Sequence, residues 1–218
     1  MINREIISRI REEAIDKGVP SDDSRLRNRL VFNKMLTVRN DLLVKKANKN
    51  QLLSVDNYDT IIEELVVVPS PIVGITSTLH RTKNKIPNIL VKLDNPLIKT
   101  VQNLDPNNPF YFTATTYEKA RYAKSAKYTG NHKKYFLHQD YLYFVNVDCD
   151  LKQVSITAIF DNILFDSSVC KSNLDYDFPL QADLTEAMIQ MCQEALIKIF
   201  YPIFSDNVNN AIDGREKS

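Results

Sequence analysis

Two short runs of alternating carboxylates are the residues best suited to chemistry in this chain. Asp148 and Asp150 flank Cys149, and Asp175 and Asp177 flank Tyr176. Alternating carboxylates resemble fragments of a calcium-binding loop, because oxygen ligands suit a hard divalent cation. Both runs lack the glycine and the terminal glutamate that such a loop requires. The runs fit an acidic surface better than a cation site, so we predict no metal and no cofactor.

The histidines, cysteines and glycines also lack the spacing of a catalytic site. The three histidines are His80, His132 and His138. No two of them have the spacing that would place them on successive turns of a helix, as a metal-binding pair of histidines requires. The chain has three cysteines and four glycines; the cysteines fit packing positions in a reducing compartment, and the glycines form no phosphate-binding loop. We therefore predict that the protein is not an enzyme. The rival hypothesis is a nucleophile at Cys149 or Cys170, which would react unusually fast with alkylating reagents.

The stretch from Tyr117 to Tyr135 combines basic and aromatic side chains. Residues 116–135 contain six basic side chains and one acidic one. If 117–128 is helical, one of its faces carries Tyr117, Arg121, Lys124 and Tyr128. This face can contact phosphates and stack on bases, or it can dock on another protein. In a third hypothesis the tyrosines pack the helix onto a sheet and the lysines are solvated.

Charge is unevenly distributed along a chain whose formal net charge is only +1. Residues 1–50 contain twelve basic and seven acidic side chains, whereas residues 148–186 contain eight acidic and two basic ones. Such segregation allows complementary contacts between copies of the chain, although each segment can equally be a solvated surface. No apolar run reaches the roughly 18 residues of a membrane span, so we predict no membrane partner.

Apolar periodicity predicts two helices at the start of the chain. The first covers residues 2–17, with one stripe of Ile2, Ile6, Ile10 and Ala14. The second covers residues 24–47, with N-cap candidates at 21–24. It has two apolar stripes, which indicates two neighbours, either in the same chain or with one in another subunit. The first stripe contains Val31, Met35, Val38 and Leu42. The second contains Phe32, Leu36, Leu43 and Ala47.

From about residue 61 the pattern changes to strands rich in β-branched and aromatic residues. The segment KKYFLH–QD–YLYFV predicts a hairpin with Gln139 and Asp140 as its loop. A last helix follows, and Asp183 with Glu186 has the spacing of a capping box. The apolar face predicted for it contains Leu184, Met188, Met191, Ala195 and Ile199.

These elements predict an α+β fold, in which an N-terminal helical hairpin and a C-terminal helix pack with a largely antiparallel sheet or sandwich. We expect four segments. They are an N-terminal helical part at 1–60, a β-rich part at 61–180 with an inserted basic helix at 116–129, a C-terminal helix at 181–202, and a flexible polar tail at 203–218.

The order of segments resembles that of a known family. RLRNRLVFNKMLTVRNDLLVKK is followed by IIEELVVVPSP and HRTKNKIPNIL, then by TYEKARYAKSAKYTG, YFLHQDYLYFVNV, VSITAIFD and DYDFPLQADLTEAMIQMCQEAL. From about Ser21 onward the chain resembles the ring-forming head-to-tail connector (tail adaptor) proteins of short-tailed bacteriophages, especially those of crAss-like phages.

The resemblance implies a structural protein of the virion. Such proteins form a ring, commonly twelvefold, beneath the portal and around the DNA exit channel, and carry the next ring or tail protein on the other side. It implies assembly in the host bacterial cytoplasm and transient contact with viral DNA. The alternative function is a nucleic-acid-binding module centred on residues 117–135.

A closed ring requires two different patches on each subunit, one for each neighbour. We expect the first on the long helix, at Arg27, Lys34, Leu42 and Lys45. We expect the second on the acidic segment, at Asp148, Asp150, Asp175 and Asp177. The basic aromatic face, with Tyr117, Arg121 and Lys124, is a further candidate for the subunit or portal interface.

Overall fold

The computed structural model describes residues 2–16, 27–72, 77–105, 109–122, 131–147, 151–162 and 173–200. The chain divides into two compact units. The helical unit consists of Met1–Asn57 and Phe165–Ser218, so it contains both ends of the chain. The sheet unit consists of Tyr58–Leu164. The α+β prediction is confirmed.

Four α-helices lie in the described part of the chain: α1 (Asn3–Asp16), α2 (Asn28–Asn48), α3 (Tyr117–Ala120) and α4 (Ala182–Phe200). Short 3-10 turns cover Val55–Asn57 and Asn173–Asp175. In the helical unit, α1, α2 and α4 contact one another in all three pairs. The two apolar stripes predicted for α2 therefore have two neighbouring helices in the same chain, α1 and α4.

The predicted start of α2 is wrong. The helix begins at Asn28, and Arg27 holds the N-cap position without a side-chain cap hydrogen bond. The cap candidates at 21–24 lie outside the described residues. Arg39, in the middle of α2, is fully buried. Burial of this arginine is possible because its guanidinium finds hydrogen-bond partners inside the unit.

The predicted capping box of α4 is also wrong. The helix begins at Ala182, so Asp183 lies inside its first turn and bonds to the side chains of Lys46 and Gln181. The apolar face is rotated from the predicted one, since Ile199 is half exposed and the buried apolar residues are Met188, Ile189, Cys192 and Leu196. More than half of the residues of this helix are apolar, so periodicity alone does not define which of its faces is buried.

The sheet unit contains nine strands in its described residues: β1 (Asp59–Pro69), β2 (Thr78–Thr82), β3 (Val91–Lys92), β4 (Asn95–Pro96), β5 (Ile98–Asn103), β6 (Thr113–Ala114), β7 (Lys134–His138), β8 (Tyr141–Val145) and β9 (Gln153–Ala158). Seven of them form one sheet in the order β5-β9-β1-β2-β8-β7-β6. All pairs are antiparallel except β6 with β7. β3 and β4 form a separate two-stranded hairpin.

The seven-stranded sheet closes on itself. The chain just before β6 pairs with β5, because Phe112 N donates to Val101 O at 2.9 Å and Asn103 N donates to Phe110 O at 3.1 Å. The sequence did not predict this closure. Inward-facing side chains from both ends of the strand order therefore share one apolar core: Ile86, Val101, Phe112, Tyr135, Leu142, Phe144, Leu151, Val154, Ile156, Ala158 and Phe160.

The predicted hairpin of β7 and β8 is present in the predicted register. His138 pairs with Tyr141, which leaves Gln139 and Asp140 as the loop. Both loop residues have positive φ, 49° and 66°, which is the backbone that a two-residue hairpin turn of right-handed twist requires.

Candidate protein interface

The basic surface expected on α2 is present as a row along the helix. Arg27 and Lys45 are exposed, while Lys34 and Leu42 are half-buried. Lys34 and Lys45 share one side of α2 at 100° per residue, and Arg27 lies at its N-cap. The row spans about 27 Å at 1.5 Å per residue. We call these four residues the basic row.

Lys34 belongs partly to the packing of the helical unit. Burial raises the pKa of the Cys192 thiol to about 12, and the nearby Lys34 charge acts against that rise. Since Lys34 is half-buried, the exposed ends of the basic row, Arg27 and Lys45, are its most accessible cations.

The acidic surface is partly described. Asp148 and Asp150 lie outside the described residues. Asp175 forms a salt bridge with Arg4 at 2.8 Å, and Asp177 is exposed at the edge of a groove of about 740 Å³. The structure thus brings Asp175 and Asp177 into one neighbourhood, although the Asp175 charge is compensated within the chain.

The groove adds two carboxylates that sequence reasoning missed, Asp56 and Glu186. Its remaining walls are mainly apolar, with Phe178, Pro179 and Leu180 among them. Apolar walls with a charged rim are the usual composition of a protein interface. Glu186 was assigned to a helix cap and Asp56 lay in a short polar linker, so neither carried a pattern that pointed to a shared groove. We call this feature the acidic groove.

Several exposed charges of the helical unit pair within the unit. Arg9 binds Glu186 through two nitrogens, at 2.6 and 3.0 Å, and these contacts with Glu186 raise the pKa of Arg9. Lys46 binds Asp183 at 3.0 Å, and the hydrogen bond from Lys46 lowers the pKa of Asp183. These pairs link α4 to α1 and to α2.

In the basic aromatic stretch, Tyr117 is a packing residue. Its hydroxyl donates to Pro71 O at 2.7 Å, and its ring stacks on His138 with centroids 4.7 Å apart. Thr116 caps α3, since Thr116 Oγ1 accepts from Lys119 N at 3.3 Å. Arg121 is exposed just after α3, whereas Lys124 and Tyr128 lie outside the described residues.

Two kinds of site are not seen in the part of the chain that the structure describes. No three His, Cys, Asp or Glu side chains come together there as a metal-binding group. None of the helices there is both long and apolar enough to cross a membrane.

A family model described as phage tail ring protein 2 matches residues 5–214. The match includes both compact units and nearly the whole chain. No curated protein sequence matches the chain.

Proposed function

The chain belongs to the phage tail ring protein 2 family, and from this premise we propose that its ring joins the portal at the capsid vertex to the tail, around the DNA exit channel. Membership of this family makes the chain a structural component of the phage tail of the crAss-like type, built for an oligomeric ring. The family match over residues 5–214 is the single observation that carries the proposal.

We propose a twelvefold ring with the portal on one side and the next tail or ring protein on the other. Assembly in the host cytoplasm and a non-enzymatic role belong to the same proposal. Contacts with DNA in the channel are transient, because tight binding would slow DNA release during ejection.

Within this ring, the basic row of one subunit faces the acidic groove of its neighbour. In a closed ring each subunit offers two different patches, so complementary charges on different patches favour head-to-tail contact over self-pairing. The basic row supplies Arg27, Lys34, Leu42 and Lys45. The acidic groove supplies Asp177 and Asp56, while the charge of Glu186 on the same rim is compensated by Arg9.

The alternative nucleic-acid module has less support from the described residues. Base stacking requires an accessible aromatic face. The Tyr117 ring lies against His138 and Phe136, so Tyr122, which is 65% exposed, is the accessible aromatic side chain among the described residues of this stretch. Retention on DNA at about 150 mM salt, falling steeply as salt rises, would favour this alternative.

The charge assignment is tested with the double variant Arg27→Glu and Lys45→Glu. Both side chains are exposed, so we expect an unchanged circular dichroism spectrum and a loss of rings in electron microscopy of the protein mixed with its portal. The matched control is Lys99→Glu with Lys152→Glu, which changes the charge equally on two exposed residues of the sheet unit and leaves ring formation intact.

Three outcomes separate the parts of this proposal. Rings that form as well with the Arg27 and Lys45 variant as with the wild type would remove the basic row from the interface. Rings restored by adding Asp56→Lys and Asp177→Lys to that variant would identify the acidic groove as its partner. A wild-type protein that ignores the portal would overturn the connector role itself.

A further inference from the structure

The hairpin of β3 and β4 has an unusual turn. Leu93 and Asp94 form its two-residue loop, with φ of 44° and 65°. Turns of this kind favour Asn-Gly or Asp-Gly, because both central residues are left-handed. A leucine in this region is a conformational outlier, at a cost of about 1–2 kcal/mol. The side chain of Asn95 donates to Leu93 O at 3.2 Å and helps to hold the turn.

The strained leucine is also among the most exposed apolar side chains described. Leu93 is 74% exposed, and Val91 in the same hairpin is 48% exposed. Because Leu93 is exposed, no packing contact in the isolated subunit offsets the strain of its backbone. Unfavourable backbone conformations of this kind are concentrated at binding and switch segments, which motivates a search for a receptor.

The sheet unit contains an apolar groove of matching size. It has a volume of about 170 Å³, and its apolar walls include Ile72, Leu79, Ala120 and Val145, which pack in one cluster apart from the core inside the closed sheet. Polar residues such as Ser77 and Asn146 line the rest. It opens where β2 and β8 pair only through His80–Phe144 and Arg81–Tyr143. An apolar cavity of about 150 Å³ is large enough for benzene, so this groove can accept the four carbons of a leucine side chain.

The charges beside the two features are complementary. Asp94 follows Leu93 at the hairpin tip, and Arg121 lines the groove, together with His80. Insertion of the leucine would bring the Asp94 carboxylate close to the rim that carries Arg121. A charge-assisted contact at the rim would fix the orientation of the tip.

The hairpin and the groove lie at opposite ends of β1. The hairpin is attached beside the end of β9, where Leu90 N donates to Ile159 O at 2.8 Å and Ala158 pairs with Asp59 at the start of β1. The groove is lined by Ser70, just after the end of β1. Because Leu93 is 74% exposed, it does not occupy the groove of its own chain, and the groove that receives it lies on another copy.

We propose that the Leu93–Asp94 tip of one subunit inserts into the groove of Ile72, Leu79, Ala120 and Val145 on the adjacent subunit of the ring. This inference rests on the proposed ring, and it adds a knob-and-groove contact to the charged contact of the helical units. Because tip and groove are different patches, the contact runs head to tail and closes with rotational symmetry.

The variant Leu93→Asn separates a docking role from a local one. Asparagine tolerates the left-handed conformation, so we expect an equal or higher midpoint of thermal unfolding. The same variant should need at least about tenfold more protein to form rings on the portal, since a buried anchor residue carries a large share of binding energy. The matched control is Leu52→Asn, which removes a leucine that is 93% exposed and leaves assembly unchanged.

The groove is tested with Thr78→Trp, because Thr78 lines it and is exposed. A tryptophan there fills the groove and should weaken assembly as Leu93→Asn does. Mixing the two variants should restore part of the assembly, because half of the junctions in an alternating ring then join an intact tip to an intact groove.

Three results would overturn the contact. The first is wild-type assembly by Leu93→Asn, and the second is an equal loss in Leu52→Asn. The third is failure of the mixture to assemble better than either variant alone. In each case wild-type rings would still form, so the connector role would stand. Failure of the connector role would appear instead as the absence of rings with the wild-type protein.

Discussion

The helical unit and the sheet unit both have a buried apolar core and exposed ion pairs, but the helical unit buries more polar side chains, among them a charged one. In the helical unit, ion pairs such as Arg9–Glu186 and Lys46–Asp183 link the helices, and Arg39 is buried with its Nε bonded to Pro179 O. In the sheet unit, a continuous apolar core fills the closed sheet. The core residues of a sheet can therefore be recognised from the strand patterns in the sequence. The polar links between helices cannot, because they join residues that are far apart in the chain.

The largest effect is expected in the apolar core of the sheet unit. Phe144 is 1% exposed and packs edge-to-face on Phe112 with ring centroids 4.8 Å apart. Phe144→Ala should lower the free energy of unfolding by about 3–5 kcal/mol through lost burial and a cavity. Chemical denaturation followed by circular dichroism measures this loss. The control Ile62→Ala, at a residue that is 61% exposed, should cost less than about 1 kcal/mol.

A smaller effect is expected at the buried arginine of the helical unit. Arg39 Nε donates to Pro179 O at 2.9 Å, and its Nη1 donates to Asn40 Oδ1 at 3.1 Å. Arg39→Ala leaves these acceptors buried and should cost about 1–3 kcal/mol in the same measurement.

The variant Arg39→Met separates the contribution of packing at this site from that of the hydrogen bonds. Methionine refills the space of the side chain and removes the buried charge, so it should cost less than alanine. If methionine is as damaging as alanine, then the hydrogen bonds and not the packing make the larger contribution.

The smallest effect is expected at the exposed ion pair between α2 and α4. The hydrogen bond from Lys46 lowers the pKa of Asp183 in the folded protein. The stabilisation by this carboxylate is therefore complete above its ordinary pKa, about 3.9, and is lost as pH falls through the lower folded value. The difference in unfolding midpoint between wild type and Asp183→Asn should thus be positive at pH 7 and shrink below about pH 4.

The variant Lys46→Gln checks the cause of this pH dependence. Without the lysine, replacing Asp183 by Asn should change the unfolding midpoint much less at pH 7. An undiminished difference would assign the pKa shift to the Gln181 hydrogen bond or to the backbone.

Local patterns predicted much of the fold. The β7–β8 hairpin follows from β-branched and aromatic runs around Gln139 and Asp140, and α1 follows from one apolar stripe. Closure of the sheet was not predicted, because the pairing of Phe112 with Val101 joins segments with no pattern that marks them as partners. The Leu93–Asp94 turn escaped prediction since its residues are unfavourable for the turn that they form.

The interface itself stays a prediction, and only part of its residue grouping follows from the sequence. The basic row lies along one helix, so helical periodicity was enough to group Lys34 and Lys45. The acidic groove joins Asp56 to Glu186 from distant parts of the chain. Only tertiary structure brings such carboxylates together, and the sequence had assigned Glu186 to a helix cap.

The central claim is that this chain forms a ring on the portal. The most direct test is electron microscopy of the purified protein, alone and mixed with the portal protein of the same genome. The account predicts rings on the portal, with twelvefold symmetry and adjacent subunits that join basic row to acidic groove and hairpin tip to apolar groove. A protein that stays dispersed beside intact portals would contradict it.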